Sequence, residues 1–317
     1  MKPIVIVGEA KGAEEHRINS SFVGASGVEL LRLLNEAKIL VLSGTDKSFI
    51  SDYYRRGDPR SIDSVWKLHP EIYRTNVFQI HPPGNKLEWF CGPKADGIPS
   101  YGPLFSGKYV RREFECELDR LADEILARDP NLIIGLGNTA LWALCGRTGV
   151  GKLRGTTQLT THCVSGYKLL PTYHPAALFR EWTHRPTVII DLAKAKREAA
   201  FPDVRRPHCE IWIEPTLEDI HDFTAQYITG RCDLLSVDIE TAGSRITCIG
   251  FAPTSERALV IPFDDERAKG GSYWPTREAE AGAWLAVRGV LEDASIPKLF
   301  QNGLYDHRST SGTQWSC

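Results

Sequence analysis

Short apolar runs closed by glycine, proline or polar residues recur along the first two thirds of the chain, at residues 3–7, 75–80, 132–136 and 168–173. Runs of this length and ending predict strands buried on both faces. Between them the period changes to that of helices: residues 27–37 carry leucines at 30, 31, 33 and 34, residues 111–127 repeat apolar side chains at helical spacing, and residues 138–145 begin directly after a glycine. Strands alternating with helices predict an α/β fold, a central parallel sheet between two helical layers. Residues 40–70 and 84–108, rich in Gly, Pro, Ser and charge, read as long surface loops.

The pattern restarts after residues 201–209, FPDVRRPHC, whose two prolines stop the helix predicted over 187–200. Three successive strands follow at 234–239, 246–251 and 258–262, then a helix at 277–291 and a strand at 298–301. The chain is therefore expected to hold two α/β domains, residues 1–203 and 204–317. A length of 317 residues agrees, being more than one hydrophobic core usually supports.

A hydrophobic share of 42% and a charged share of 25% exclude disordered and collagen-like classes. No stretch approaches the roughly 20 apolar residues of a spanning helix, and the opening MKPIVIVGEA is too brief for a signal peptide. The expectation is a cytoplasmic protein with no membrane partner. The net charge of −2 is unevenly divided: residues 1–205 carry 28 basic against 23 acidic side chains, the remaining 112 carry 10 against 17. A basic half beside an acidic half fits a phosphate-binding domain joined to a metal-binding one. None of the eight cysteines stands in a C-x-x-C pair, so neither a disulfide framework nor a closed metal site is indicated.

Several motifs recur in a fixed order: Gly8-Glu9-Ala10-Lys11-Gly12, Glu15, Phe22-Val23-Gly24 and Gly27; Thr75-Asn76-Val77 and Pro82-Pro83-Gly84-Asn85; Leu136-Gly137; Arg154-Gly155; and Thr172 through Arg180, TYHPAALFR. In this order and spacing residues 3–200 resemble family 4 uracil-DNA glycosylases. The resemblance implies a protein that flips uracil out of DNA and hydrolyses its glycosidic bond, as in base excision repair or phage replication.

Each step of that reaction needs a distinct group. An aromatic ring such as Phe22 stacks on the flat base. The amide of Asn76 matches the N3–H donor and O4 acceptor that set uracil apart from cytosine. His174 would donate to O2 as the departing base becomes anionic. Glu9 would orient the attacking water and stabilise the cationic sugar. Gly8, with glycines 12, 24 and 27, lets the backbone approach its ligand closely. On the DNA, Leu178 would fill the hole left by the flipped base, while Arg180, Arg154, Lys11 and the Pro175 turn would meet the backbone. Read singly, Phe22 is a core ring, Asn76 a turn former, Glu9 a cap and His174 a structural histidine; the site reading rests on their occurring together.

The chain departs from the family at the cluster ligands, at Lys11, and at His16, which stands where the family has an aspartate after Glu15. Family 4 enzymes hold an iron–sulfur cluster on four cysteines, two in a C-x-x-C ahead of the first strand. Here the chain begins at that strand, Ile80 stands at the third ligand position, and only Cys116 occupies a cluster-like place. No cluster is expected, as in the shortened glycosylase-like domains fused to some phage DNA polymerases, which makes a bacterial or phage-infected cell the expected setting and polymerase or replication proteins the expected partners besides uracil-containing DNA. Lys11 replaces the proline of the family's G-E-x-P-G, loosening the loop that places Glu9. The alternative function is a catalytically silent uracil- or DNA-binding module of a polymerase–exonuclease fusion.

In the second domain Asp238-Ile239-Glu240 ends a predicted strand, whose alternation puts both carboxylates on one face. With Asn302-Gly303-Leu304-Tyr305-Asp306 after the next helix and strand, the segment resembles a polymerase A type 3′→5′ exonuclease of ribonuclease H-like fold. That resemblance implies Mg2+ or Mn2+ held by Asp238, Glu240 and Asp306. Its third motif, Tyr-x-x-x-Asp, does not follow Asp306, so an incomplete domain with little or no nuclease activity is expected.

Overall fold

A computed structural model describes residues 2–205, 208–243 and 245–301. The chain divides into two compact units, Met1–Arg205 and Arg206–Cys317. In the first unit, β1 (Ile4–Ala10) leads into α1 (Ala13–Ile18), α2 (Ala25–Glu36), α3 (Gly44–Arg56) and α4 (Pro59–Lys67) before β2 (Ile72–Phe78). A short hairpin, β3 (Cys91–Gly92) and β4 (Tyr109–Val110), precedes α5 (Glu115–Arg128), β5 (Leu132–Leu136), α6 (Gly137–Cys145) and α7 (Val150–Leu153). The hairpin of β6 (Gln158–Thr161) and β7 (Ser165–Thr172), then α8 (Pro175–Leu178) and α9 (Arg185–Glu198), complete the unit.

Its sheet has the order β2-β1-β5-β7-β6, parallel except for β6. Alternate side chains of β1 enter separate cores. Ile6 packs with α2, α4 and α9, while Val5 and Val7 pack with α5 and α6, which gives the three expected layers.

Two features differ from expectation. Residues 40–70 hold α3 and α4 rather than a loop. Ser43 caps α3 in a reciprocal pair with Asp46, and Asp58 caps α4 ahead of Pro59, so the polar and proline residues that suggested a loop are helix starts. The second is β6, which the alternation had not revealed. Residues 84–108 run through short 3-10 turns, β3 and irregular chain, but Phe90, Ile98 and Leu104 within them are buried in the core.

The second unit begins with β8 (Glu210–Trp212) and α10 (Leu217–Phe223), neither of them foreseen. It continues as an antiparallel meander of β9 (Leu235–Ala242), β10 (Arg245–Thr254) and β11 (Arg257–Pro262), then α11 (Arg277–Glu292) and β12 (Lys298–Phe300). Strand β12 returns parallel to β9, and β8 lies parallel to β11 at the other edge. Leu235, Val237 and Ile239 face the core of this unit. No helix among the described residues is long and apolar enough to cross a membrane.

Candidate active site

In open parallel sheets ligands gather at the carboxyl ends of the strands. Asn76 on β2 pairs in register with Gly8 on β1, Glu9 follows Gly8, Gly137 follows β5, and His174 lies just beyond β7. These are the carboxyl ends of four neighbouring strands.

Two glycines report how closely the side chains converge. A Cβ added at Gly8 would fall on Asn76 Oδ1 and lie 2.5 Å from Phe22 Cζ. One added at Gly137 would lie 3.0 Å from Glu9 Oε1 and 3.2 Å from His174 Cβ. Gly137 also has φ +84°, a region that side chains disfavour. The Phe22 and His174 rings lie 5.9 Å apart at 29°. Phe22, Asn76, Glu9 and His174 thus surround one region.

Phe22 belongs to the core as well as to the site. It is buried at φ +56°, an unfavourable conformation for a bulky residue. Its neighbours hold it there: Trp66 Nε1 donates to its carbonyl at 2.8 Å, and its N–H donates to Glu15. The second oxygen of Glu15 accepts from Gly12 N–H at 2.8 Å. Burial raises the pKa of the Glu15 carboxyl despite these bonds and the nearby His174 and Lys11.

Asn76 is 1% exposed, and Arg120 donates to its carbonyl at 2.9 Å. Its side-chain Nδ2 has no hydrogen-bond partner in the protein, a cost that a binding group aimed at its ligand incurs in the free protein. His174 is fixed differently. Its Nδ1 accepts from Ala176 N–H at 3.1 Å at the start of α8, so the neutral ring carries its proton on Nε2. Glu9 Oε1 accepts from the buried Thr139 hydroxyl at 3.4 Å in the first turn of α6.

Four of the residues expected to meet DNA are buried or paired within the first unit. Leu178 is 0% exposed and packs in the core with α2 and α9; Phe179, next in sequence, is 55% exposed. Pro175 is buried and opens α8. Lys11 is 6% exposed and donates to Asn19 Oδ1, and burial lowers its pKa against the attraction of Glu15. Arg154 is bound to Asp191 through two contacts, at 2.9 and 2.6 Å. Arg180 is exposed and forms no ion pair with a described residue.

Sequence reasoning missed Thr139, Trp66 and the bracing roles of Glu15 and Arg120. Glu15 and Gly137 stand within the motifs, whereas Trp66 fell in the segment read as a loop.

At the cluster positions, Ile80 packs against the apolar core beneath α5 and α6, and Cys116 is exposed with its thiol directed at the Glu113 carbonyl. This donor set does not fit a four-thiolate cluster. In the second unit Asp238 and Glu240 lie on the exposed face of β9, alternating with buried Val237 and Ile239. Asp306 lies outside the described residues. Among the described residues no three His, Cys, Asp or Glu side chains gather as a metal site.

Residues 1–204 match the uracil-DNA glycosylase superfamily. The chain belongs to that family. It is 29% identical over 200 residues to the type-4 uracil-DNA glycosylase of Saccharolobus solfataricus, covering 61% of this chain and 69% of the relative. It is also 27% identical over 197 residues to that of Thermotoga maritima, covering 61% and 76%, and 29% identical over 195 residues to that of Pyrobaculum aerophilum, covering 60% and 74%.

Proposed function

We propose that the first unit hydrolyses the glycosidic bond of uracil extruded from DNA. The observation that carries this reading is the convergence of Phe22, Asn76, Glu9 and His174 at one sheet edge, with a buried amide nitrogen left unpartnered. Uracil stacks on Phe22; Asn76 Nδ2 donates to O4 and Oδ1 accepts from N3–H. The Nε2–H of His174 donates to O2, where negative charge grows as the bond to C1′ breaks. Glu9, steadied by Thr139, orients the water whose oxygen adds to C1′, faces the positive charge developing on the sugar and accepts the proton that water releases, which returns through solvent to the departing uracil anion. The products are free uracil and an abasic deoxyribose. We propose that this proceeds without an iron–sulfur cluster, given the isoleucine at a ligand position.

A uracil-containing oligonucleotide, treated with alkali after incubation and resolved on a gel, tests the reading. The wild type is expected to leave a break at the uracil. Glu9→Gln and His174→Ala are each expected to slow its formation by about 10²–10³-fold. Uracil-dependent binding without any break in the wild type overturns the enzyme reading in favour of a silent DNA-binding module.

For the second unit we infer descent from a ribonuclease H-like exonuclease fused to a polymerase. Support comes from the three-stranded meander with a helix and a strand returning parallel to its first member, and from the Asp238–Glu240 face. A divalent ion, Mg2+ or Mn2+, would be held by Asp238 and Glu240 on that face.

A further inference from the structure

Residues Phe179 to Thr183 form an unbroken exposed run directly after α8. Two of the five are large aromatics, Phe179 at 55% and Trp182 at 58% exposure. Single exposed apolar residues need no explanation, but two within one short turn do.

The segment is held firmly despite its exposure. His184 stacks on Tyr173 with centroids 4.5 Å apart at 11°, joining the turn to the residue before His174. Arg185 lies 5.2 Å from the Trp182 ring and is anchored to Glu29 at 2.8 Å and to Glu36. Helix α8 is a single turn, so Phe179 stands only about 8 Å of helix rise beyond His174. Between the two in sequence stand exposed Arg180, a cation with no ion-pair partner among the described residues, and exposed Glu181, whose carboxylate accepts from the Thr183 hydroxyl. Nothing in the fold requires aromatics here, because neither ring belongs to a core.

Resting on the glycosylase reading for where the substrate strand runs, we propose that Phe179 and Trp182, with Arg180 between them, stack on unpaired nucleobases beside the extruded uracil, so that the substrate class is uracil in single-stranded DNA. A flat aromatic accepts the face of any base, so the platform is indifferent to sequence, and the guanidinium neutralises the intervening phosphate. Within a paired duplex the flanking base faces are already stacked on one another and are not offered.

The test uses undamaged fluorescein-labelled oligodeoxythymidylate, as a single strand and annealed to oligodeoxyadenylate, with binding to the full chain read by anisotropy. Phe179→Ala and Trp182→Ala are each expected to weaken single-strand binding roughly tenfold or more while duplex binding changes little. Phe179→Tyr and Trp182→Phe are expected to retain it. Failure of the wild type to favour the single strand, unchanged binding by the alanine variants, equal loss on both forms, or full rescue by leucine at either position overturns the proposal. Because the probe contains no uracil, the result is independent of excision. A chain that favours the single strand through these rings but leaves uracil intact retains the platform and loses the glycosylase reading; one that excises uracil but binds equally without the rings does the reverse.

Discussion

A side chain enclosed by protein yet short of a hydrogen-bond partner is costly to keep, and Asn76 is such a residue. Gly8 makes its position possible, because any larger residue there would collide with both the amide and the Phe22 ring. Gly8→Ala is therefore expected to displace the two groups that contact the base face and edge, lowering single-turnover uracil excision by about a hundredfold. An alanine variant that excises normally would show that the gap between Asn76 and Phe22 is not used. At this scale much of the site was legible, since Glu9, Phe22, Asn76 and His174 stand in ordered motifs. What could not be read was which side chains the fold consumes. Leu178 and Phe179 are adjacent and both apolar, and only the direction of a single helical turn decides that the first is core and the second faces solvent.

Between elements the same limit arises from pairing over long sequence distances. Arg185 at the start of α9 ties to Glu29 and Glu36 on α2, a contact spanning some 150 positions that no local pattern announces. Its bond holds the Glu36 carboxyl below the ordinary carboxylate range, against partial desolvation. A carboxyl whose pKa is lower folded than unfolded adds stability above its unfolded value, about 4.3, and that contribution is lost as pH falls through the folded value. In Arg185→Met the fall of unfolding free energy with decreasing pH is accordingly expected to be shallower below about pH 4.3, measured by urea denaturation across that range. An unchanged slope would remove the pair from the account. Helices α3 and α4, by contrast, carried readable signals. Ile62, Val65 and Trp66 recur at helical spacing and are buried, but Gly44, Gly57 and Pro59 drew attention as loop punctuation when they mark helix ends.

Over the whole molecule the chain passes from one compact unit to the other after Arg205, within the segment 201–209 whose two prolines and change of period suggested a boundary after residue 203. The short strand β8, only three residues long, left too little alternation to detect. Asn76, Glu9 and His174 come from the ends of β2, β1 and β7, with Gly137 directly after β5 of the same sheet, and Phe22 joins them from the segment before α2. Fraying of β1, β2 or β7 would carry a reactive group away, so no partly melted form of this unit should retain turnover. Thermal loss of excision is then expected to coincide with the cooperative melting of the first unit's sheet, followed by circular dichroism alongside residual activity. Activity that fades well before the melt would place the weak point in the loops around the pocket instead of in the strands.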